Sequence, residues 1–343
     1  AAAALVFAGF IMPVSYSSIL DEHQAVRTAA GLFDLTHMGE FWLEGASALA
    51  DVQRLVTNDV SKLAVGQALY TPMCYDNGTI VDDLLVYRFG EERFLLVVNA
   101  SNIDKDRKWV TDHLCPATRF TDASDETALV AIQGPRAIEI LAGLFPAASD
   151  VKPFHFTKVP FEGTELVVAR TGYTGEDGFE VFVPNARSRA LWKALCKGPV
   201  KPVGLGARDT LRMEARLPLY GNDIDDTTTP LEAGIGWTVK LDKSDFIGKG
   251  VLLAQQQKGL ARKLFGFKMV GRGIARHGCD VLSGGTVVGH VTSGSFSPTL
   301  KENVGLAYLP VALASPGVAI SIRIREKEVA AETVKTPFYK RSR

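Results

Sequence analysis

The segment ALYTPMCY (68–75), Asp76-Asn77-Gly78 and TIVDDLLVYRF (79–89) constrains the fold more than any other stretch of this chain. Asn-Gly accepts left-handed backbone cheaply, and two runs of strand-forming residues flank it, so the segment predicts an antiparallel hairpin. Successive strand residues face opposite sides. Asp83 therefore shares a face with Val81, Leu85, Tyr87 and Phe89, and Asp82 shares the other with Ile80, Leu84, Val86 and Arg88. The two carboxylates are not an acid–base dyad aimed into one pocket. A carboxylate facing an aromatic, apolar wall loses hydration, and its proton affinity rises above the free value of about 3.9. Such a group can accept and return a proton near neutral pH. The same residues also suit two solvated carboxylates at a hairpin mouth, and the strand alone leaves both readings open.

Around the hairpin, helical and strand patterns interleave without strict alternation, which favours an α+β class over a doubly wound sheet. Residues 19–30, 46–55, 187–197 and 209–216 read as helices; 94–100, 128–134 and 165–184 read as strands with glycine turns. Ser101-Asn-Ile-Asp104 has the form of a capping box opening a helix toward His113. From about Lys263 the chain becomes short strands broken by glycine and proline, the pattern of a small barrel or sandwich. Residues 245–257 read as the turn region before it.

Charge and motifs exclude several functions. Lysine plus arginine equals aspartate plus glutamate at 38 each, which argues against a nucleic-acid surface. The four cysteines form no CxxC and the six histidines no HExxH, so no metal site and a reducing compartment are expected. The apolar start AAAALVFAGFIMPV lacks a basic flank and falls short of the roughly 20 residues of a membrane span; it reads as a buried first segment. GLGARD (204–209) approaches GxGxxG, but no full strand precedes it and Asp209 stands at the third glycine, so no nucleotide site is expected. DIDDTTTP (223–230) lacks the glycine and terminal glutamate of a calcium loop and reads as a solvated turn before a helix. Two polar residues sit at strand ends: Asn99 after FLLVV, and Glu180 after the turn GEDG. An amide can give and take hydrogen bonds on a pocket floor, and a carboxylate can accept a paired N–H edge from an amino-pyrimidine; each is equally a strand-end residue satisfied by backbone.

Taken together, MPVSYSSILDEHQAVRTAAGLFDLTHMGE, TNDVSKL, GTIVDDLLVYRF, LLVVNASNIDKD, ARTGYTGEDGFEVFVP, VGLGARDTLRMEARLPLYGNDID, TPLEAGIGWTVKLDK and VTSGSFSPTL resemble the aminomethyltransferase, or T-protein, family of the glycine cleavage system. The resemblance runs in order through nearly the whole chain. It implies a three-domain α+β cloverleaf with a C-terminal all-β domain: 1–35 with 140–245, 36–139 carrying the Asp83 strand, and a barrel-like 246–343. It implies transfer of a one-carbon unit from the aminomethyl-lipoyl arm of H-protein to tetrahydrofolate, with release of ammonia. It gives Asp83 the catalytic role, Glu180 the pterin, and places Arg208 and, around the folate, Met38, Tyr70, Leu85, Tyr87, Asn99 and Tyr173. No metal, nucleotide, nucleic-acid or membrane partner is implied, and the compartment is the cytoplasm of a bacterium or the mitochondrial matrix of a eukaryote. A folate-dependent demethylase and a folate-binding protein without catalysis are the alternatives. Trp42 departs from the family, which usually has a long aliphatic residue there, and would reshape the pocket rim.

Overall fold

The computed structural model describes residues 3–341. The chain divides into two compact units. One runs to Met73 and includes Asp82–Arg208 and Asp242–Ile247; the other holds Cys74–Val81, Asp209–Leu241 and the chain from Gly248 on.

In chain order the elements begin with a hairpin, β1 (Ala3–Phe7) and β2 (Phe10–Ser15), then α1 (Ile19–Thr28), β3 (Gly31–Asp34), β4 (Gly39–Glu44) and α2 (Ala48–Leu55). The predicted hairpin follows as β5 (Ala68–Cys74) and β6 (Ile80–Gly90), then β7 (Arg93–Val98), α3 (Ile103–Asp112), β8 (Arg119–Asp122), β9 (Thr127–Gln133) and α4 (Ala137–Leu144). Next are β10 (Phe156–Phe161), β11 (Thr164–Ala169), β12 (Gly178–Pro184), α5 (Asn185–Leu195), β13 (Lys201–Pro202) and α6 (Leu205–Glu214). The rest is α7 (Lys249–Lys258), β14 (Arg262–Met269), β15 (Asp280–Ser283), β16 (Thr286–Ser297), β17 (Glu302–Pro310), β18 (Ala319–Ile324) and β19 (Lys327–Val334).

Two sheets build the first unit: a five-stranded one in the order β5-β6-β7-β4-β8 and a six-stranded one in the order β10-β11-β12-β9-β3-β13. One face of the six-stranded sheet is sealed by α4 and α5, whose Leu141, Leu191 and Leu195 pack on Val130, Ile132, Phe179 and Val181. The expected α+β class is what the chain adopts. So is the Asn-Gly turn: Tyr75 N–H bonds Thr79 O at 2.9 Å, and Gly78 takes the positive φ of +80° that the turn demands. In the second unit β14-β17-β16-β15-β18-β19 close into a barrel. Closure leaves no open edge, which is how short strands of this kind become stable.

Four expectations fail, each for a physical reason. The first segment is not buried: β1 and β2 pair only with each other. A two-stranded ribbon has one face to bury, and it leaves Val6 73% and Ile11 80% exposed while Phe7 and Phe10 set their edges on His37. The Ser101 capping box does not form. Ser101 lies in a short 3-10 turn, and Asn102 takes the N-cap position with its side chain drawn elsewhere. Residues 245–257 are not a turn but mostly α7. The loop at 223–230 is solvated only at its tip, Asp226 and Thr227: Asp223 is fully buried against Arg212 and accepts from Thr292 Oγ1 at 2.6 Å, and no helix follows directly.

Candidate functional site

The site grows from β6. Alternation holds in the structure: Asp82, Leu84, Val86 and Arg88 are buried, whereas Asp83, Leu85 and Phe89 on the other face stay partly open around a buried Tyr87. Asp83 is held from both sides. Tyr70 on neighbouring β5 donates its hydroxyl to Oδ2 at 2.9 Å, and Asn99 at the end of β7 donates Nδ2 to Oδ1 at 2.8 Å. Burial, then the charge of Asp82, push the Asp83 carboxyl up to about 7, against the opposing pull of those two hydrogen bonds.

The two carboxylates are more closely tied than alternation suggested. Asn99 Nδ2 also lies 2.9 Å from Asp82 Oδ1 and 2.9 Å from the Asp83 carbonyl. Asp82 is no solvated neighbour: it further accepts Asn99 N–H at 3.0 Å and Asn102 Nδ2 at 2.6 Å. Asn99 is thus a clamp between the aspartates rather than an open pocket floor, and it keeps only its carbonyl oxygen as an acceptor.

The six-stranded sheet supplies the second carboxylate. Glu180 on β12 stands opposite Ala131 of β9 and Ala169 of β11, small neighbours that leave it room. Thr171 Oγ1 donates to Glu180 Oε2 at 2.5 Å and lies 3.2 Å from the Tyr87 hydroxyl, so a hydrogen-bonded chain joins β6 to Glu180. Burial raises the Glu180 carboxyl, and the Thr171 bond and the Arg208 charge oppose it. The turn after Thr171 needs glycine at 172, where a Cβ would stand 2.0 Å from Gln133 Oε1. Gln133 in turn holds the Thr171 carbonyl through Nε2 at 3.0 Å.

Arg208 lies with its guanidinium 4.6 Å from the Tyr173 ring centre, which bounds the site on that side. His37 is buried; desolvation, then the Arg208 charge, push its ring down to about 3, so it is neutral here. Met38 follows it, half-buried, with its N–H on the Leu35 carbonyl at 2.9 Å. The structure thus joins Asp83, Tyr70 and Asn99 directly, links Tyr87 to Glu180, and pairs Arg208 with Tyr173; Leu85 and Met38 are placed by their backbone alone. Trp42 on β4 lies 4.8 Å from the Phe89 ring, with the Arg93 guanidinium 4.3 Å over it. It lines a cavity of about 360 Å³ with Glu40, Phe89 and Phe182.

Sequence reasoning missed Thr171, Asn102 and Asp106. Thr171 is selected by the other sheet and carries no local signal. Asn102 and Asp106 had one: they lie four apart after Asn99, one helical turn on one face. Among the described residues no group of three His, Cys, Asp or Glu is placed to hold a metal ion, and no helix is long and apolar enough to cross a membrane.

Comparison with known proteins bears directly on this arrangement. Residues 1–243 match the model of the GCVT N-terminal domain, and residues 262–340 that of the glycine cleavage T-protein C-terminal barrel domain. The chain belongs to the glycine cleavage T-protein family. Family members named aminomethyltransferase include one from Halothermothrix orenii, 50% identical over 337 residues, covering 97% of this chain and 94% of that one. Another, from Bacillus subtilis, is 50% identical over 342 residues, covering 98% and 94%. The crystal structure of the glycine cleavage system aminomethyltransferase T from Bartonella henselae superposes with a TM-score of 0.94 at 34% identity, covering 99% of this chain and 94% of that one. The T-protein resemblance expected from the motifs is borne out across both matched segments.

Proposed function

We propose that this chain is a tetrahydrofolate-dependent aminomethyltransferase that takes the aminomethyl group from a lipoylated H-protein and releases ammonia, leaving 5,10-methylenetetrahydrofolate and the dihydrolipoyl carrier. The observation that carries the reading is the Asp83 carboxyl, pushed up to about 7 between the Tyr70 hydroxyl and the Asn99 amide. A group of that proton affinity takes and returns protons at neutral pH.

The residues present suit a reduced pterin. Glu180 supplies a carboxylate for a paired N–H edge, Asn99 an amide oxygen, and Tyr87, Tyr173 and Leu85 the flanking walls. When bound, tetrahydrofolate supplies the nucleophilic nitrogens that receive the carbon. Asp83 and Glu180 act from different sheets. Tyr87 stands four residues from Asp83 on one strand face, roughly 13 Å along β6, so Glu180 on the Thr171–Tyr87 chain orients the ring away from the reacting end. Asp83 orients a folate nitrogen and carries the proton that its C–N bond formation releases. Asn99 fixes the Asp83 rotamer, and Arg208 lends positive charge beside Tyr173. Met38 completes the wall. The H-protein partner, and a cytoplasmic compartment for a chain of bacterial type, are parts of the same reading.

Mixing the protein with aminomethyl-loaded H-protein and tetrahydrofolate should release ammonia stoichiometrically. No ammonia beyond the protein-free rate would refute the proposal.

A further inference from the structure

We infer that the cavity beside Trp42 binds a flat organic cation with two parallel N–H groups, an amidine or amino-heterocycle, held by the Glu40 carboxylate. The inference goes beyond the proposed function and does not rest on it, because neither Asp83 nor Glu180 lines this cavity.

Strand alternation builds the cavity inside the first unit. On β4, Glu40 and Trp42 share one face, while Phe41 and Leu43 are buried on the other. Trp42 stands opposite Leu95 of β7, and Leu95 opposite Tyr87 of β6, so this is the sheet face that also carries Asp83. β4 lies two strands from β6, roughly 10 Å across the sheet. Phe182 of the six-stranded sheet lines the cavity from the other side, and Phe89 adds a third ring. The volume of about 360 Å³ is that of a small-ligand site.

The chemistry of the lining selects the ligand. Glu40 is 1% exposed, and neither of its carboxyl oxygens makes a hydrogen bond. A buried polar group without a partner is costly. Two such oxygens on one carboxylate match the paired N–H edge of an amidinium, which bonds both in parallel. A delocalised, flat cation also suits walls of Trp42, Phe89 and Phe182. Charge points the same way. Glu126 and Glu165 are exposed lining residues, and among the described residues no lysine, arginine or histidine lines the cavity. Arg93 stacks 4.3 Å from the Trp42 ring centre outside the lining, where Glu44 engages it at 2.8 Å; Lys158 pairs with Glu165 at 2.8 Å. Asp122 of β8 and Tyr87 of β6 are the titratable neighbours that feel Glu40 or act on it. Burial, then the Asp122 charge, push Glu40 up to about 9, so the amidinium takes the place of a proton that leaves for solvent.

Calorimetric titration with benzamidine tests the site without any activity assay, so its failure is separate from that of the proposed function. The parent should bind with a Kd of about 1 mM or tighter. Glu40→Gln should weaken binding roughly tenfold or more, and Trp42→Leu about threefold or more. Benzamide, equally flat but uncharged, should bind roughly tenfold more weakly than benzamidine. No binding by the parent up to about 10 mM overturns the inference, as does equal affinity for benzamide. Unchanged affinity in Glu40→Gln overturns it too, and loss in Glu180→Ala instead would put the probe on the pterin carboxylate. Should Glu40→Gln not fold, Trp42→Leu decides, and unchanged affinity there has the same force.

Discussion

Opposing forces set the proton affinity of Asp83, and those that disfavour its charge win. Burial and the neighbouring Asp82 disfavour its charge, while the Tyr70 hydroxyl and the Asn99 amide favour it. The active form of a proton acceptor is the carboxylate, so turnover should fall as pH drops through about 7 and level off above it. A pH–rate profile limited by chemistry and flat through that range would contradict this role. Asp83→Asn keeps the shape and a hydrogen-bonding group, so tetrahydrofolate binding should survive while turnover falls roughly a hundredfold or more. Glu180 is expected to act on binding instead. Glu180→Ala should weaken tetrahydrofolate binding roughly tenfold to a hundredfold, the usual worth of a charge-assisted hydrogen bond, as calorimetry would show. Unchanged affinity would remove the pterin role of Glu180.

At the level of elements, loops that carry no regular hydrogen bonding are held by single buried side chains. Lys243 places Nζ 2.6 Å from the carbonyls of Gln53 and Val56 and 2.7 Å from that of Asn58, at the C-terminal end of α2. A cation suits a helix C-terminus, and the three carbonyls have little else to bond. Lys243→Met keeps the stem and removes the charge. It should cost about 3 kcal/mol of stability, read from the urea midpoint at constant slope; a loss under about 0.5 kcal/mol would show that water replaces the ammonium. The elements were also where sequence reading did best and worst. Residues 19–30 and 46–55 were legible as helices because their apolar spacing is local. The capping box at Ser101 was legible and wrong, because Asn102 spends its amide on Asp82, a partner 20 residues away.

Across the whole molecule, buried acids should leave a mark on the pH dependence of stability. Neither carboxyl oxygen of Glu40 makes a hydrogen bond, and burial, then the Asp122 charge, push it from 4.5 up to about 9. A group that holds its proton when folded and releases it when unfolded loses stability as pH rises between those two values. The slope should be about 1.4 kcal/mol per pH unit at most for this group, and Glu40→Gln should flatten it. Equal slopes in parent and variant, from unfolding curves between mildly acidic and mildly alkaline pH, would show that Glu40 ionises in the folded state.

By itself the sequence determined the α+β class, the Asn-Gly hairpin, the all-β segment near the C-terminus and the face on which Asp83 lies. These follow from period, turn chemistry and strand alternation, which act between near neighbours. Its motifs also pointed to the T-protein family. Only the tertiary structure decided what surrounds Asp83. Beside the two aspartates, Tyr70 comes from the next strand and Asn102 from the start of a helix whose cap the sequence misassigned; Glu180 and the loop residue Thr171 meet Tyr87 further along β6. Proton affinity depends on burial and on charges a few ångströms away, and those distances arise only when segments remote in the chain pack together.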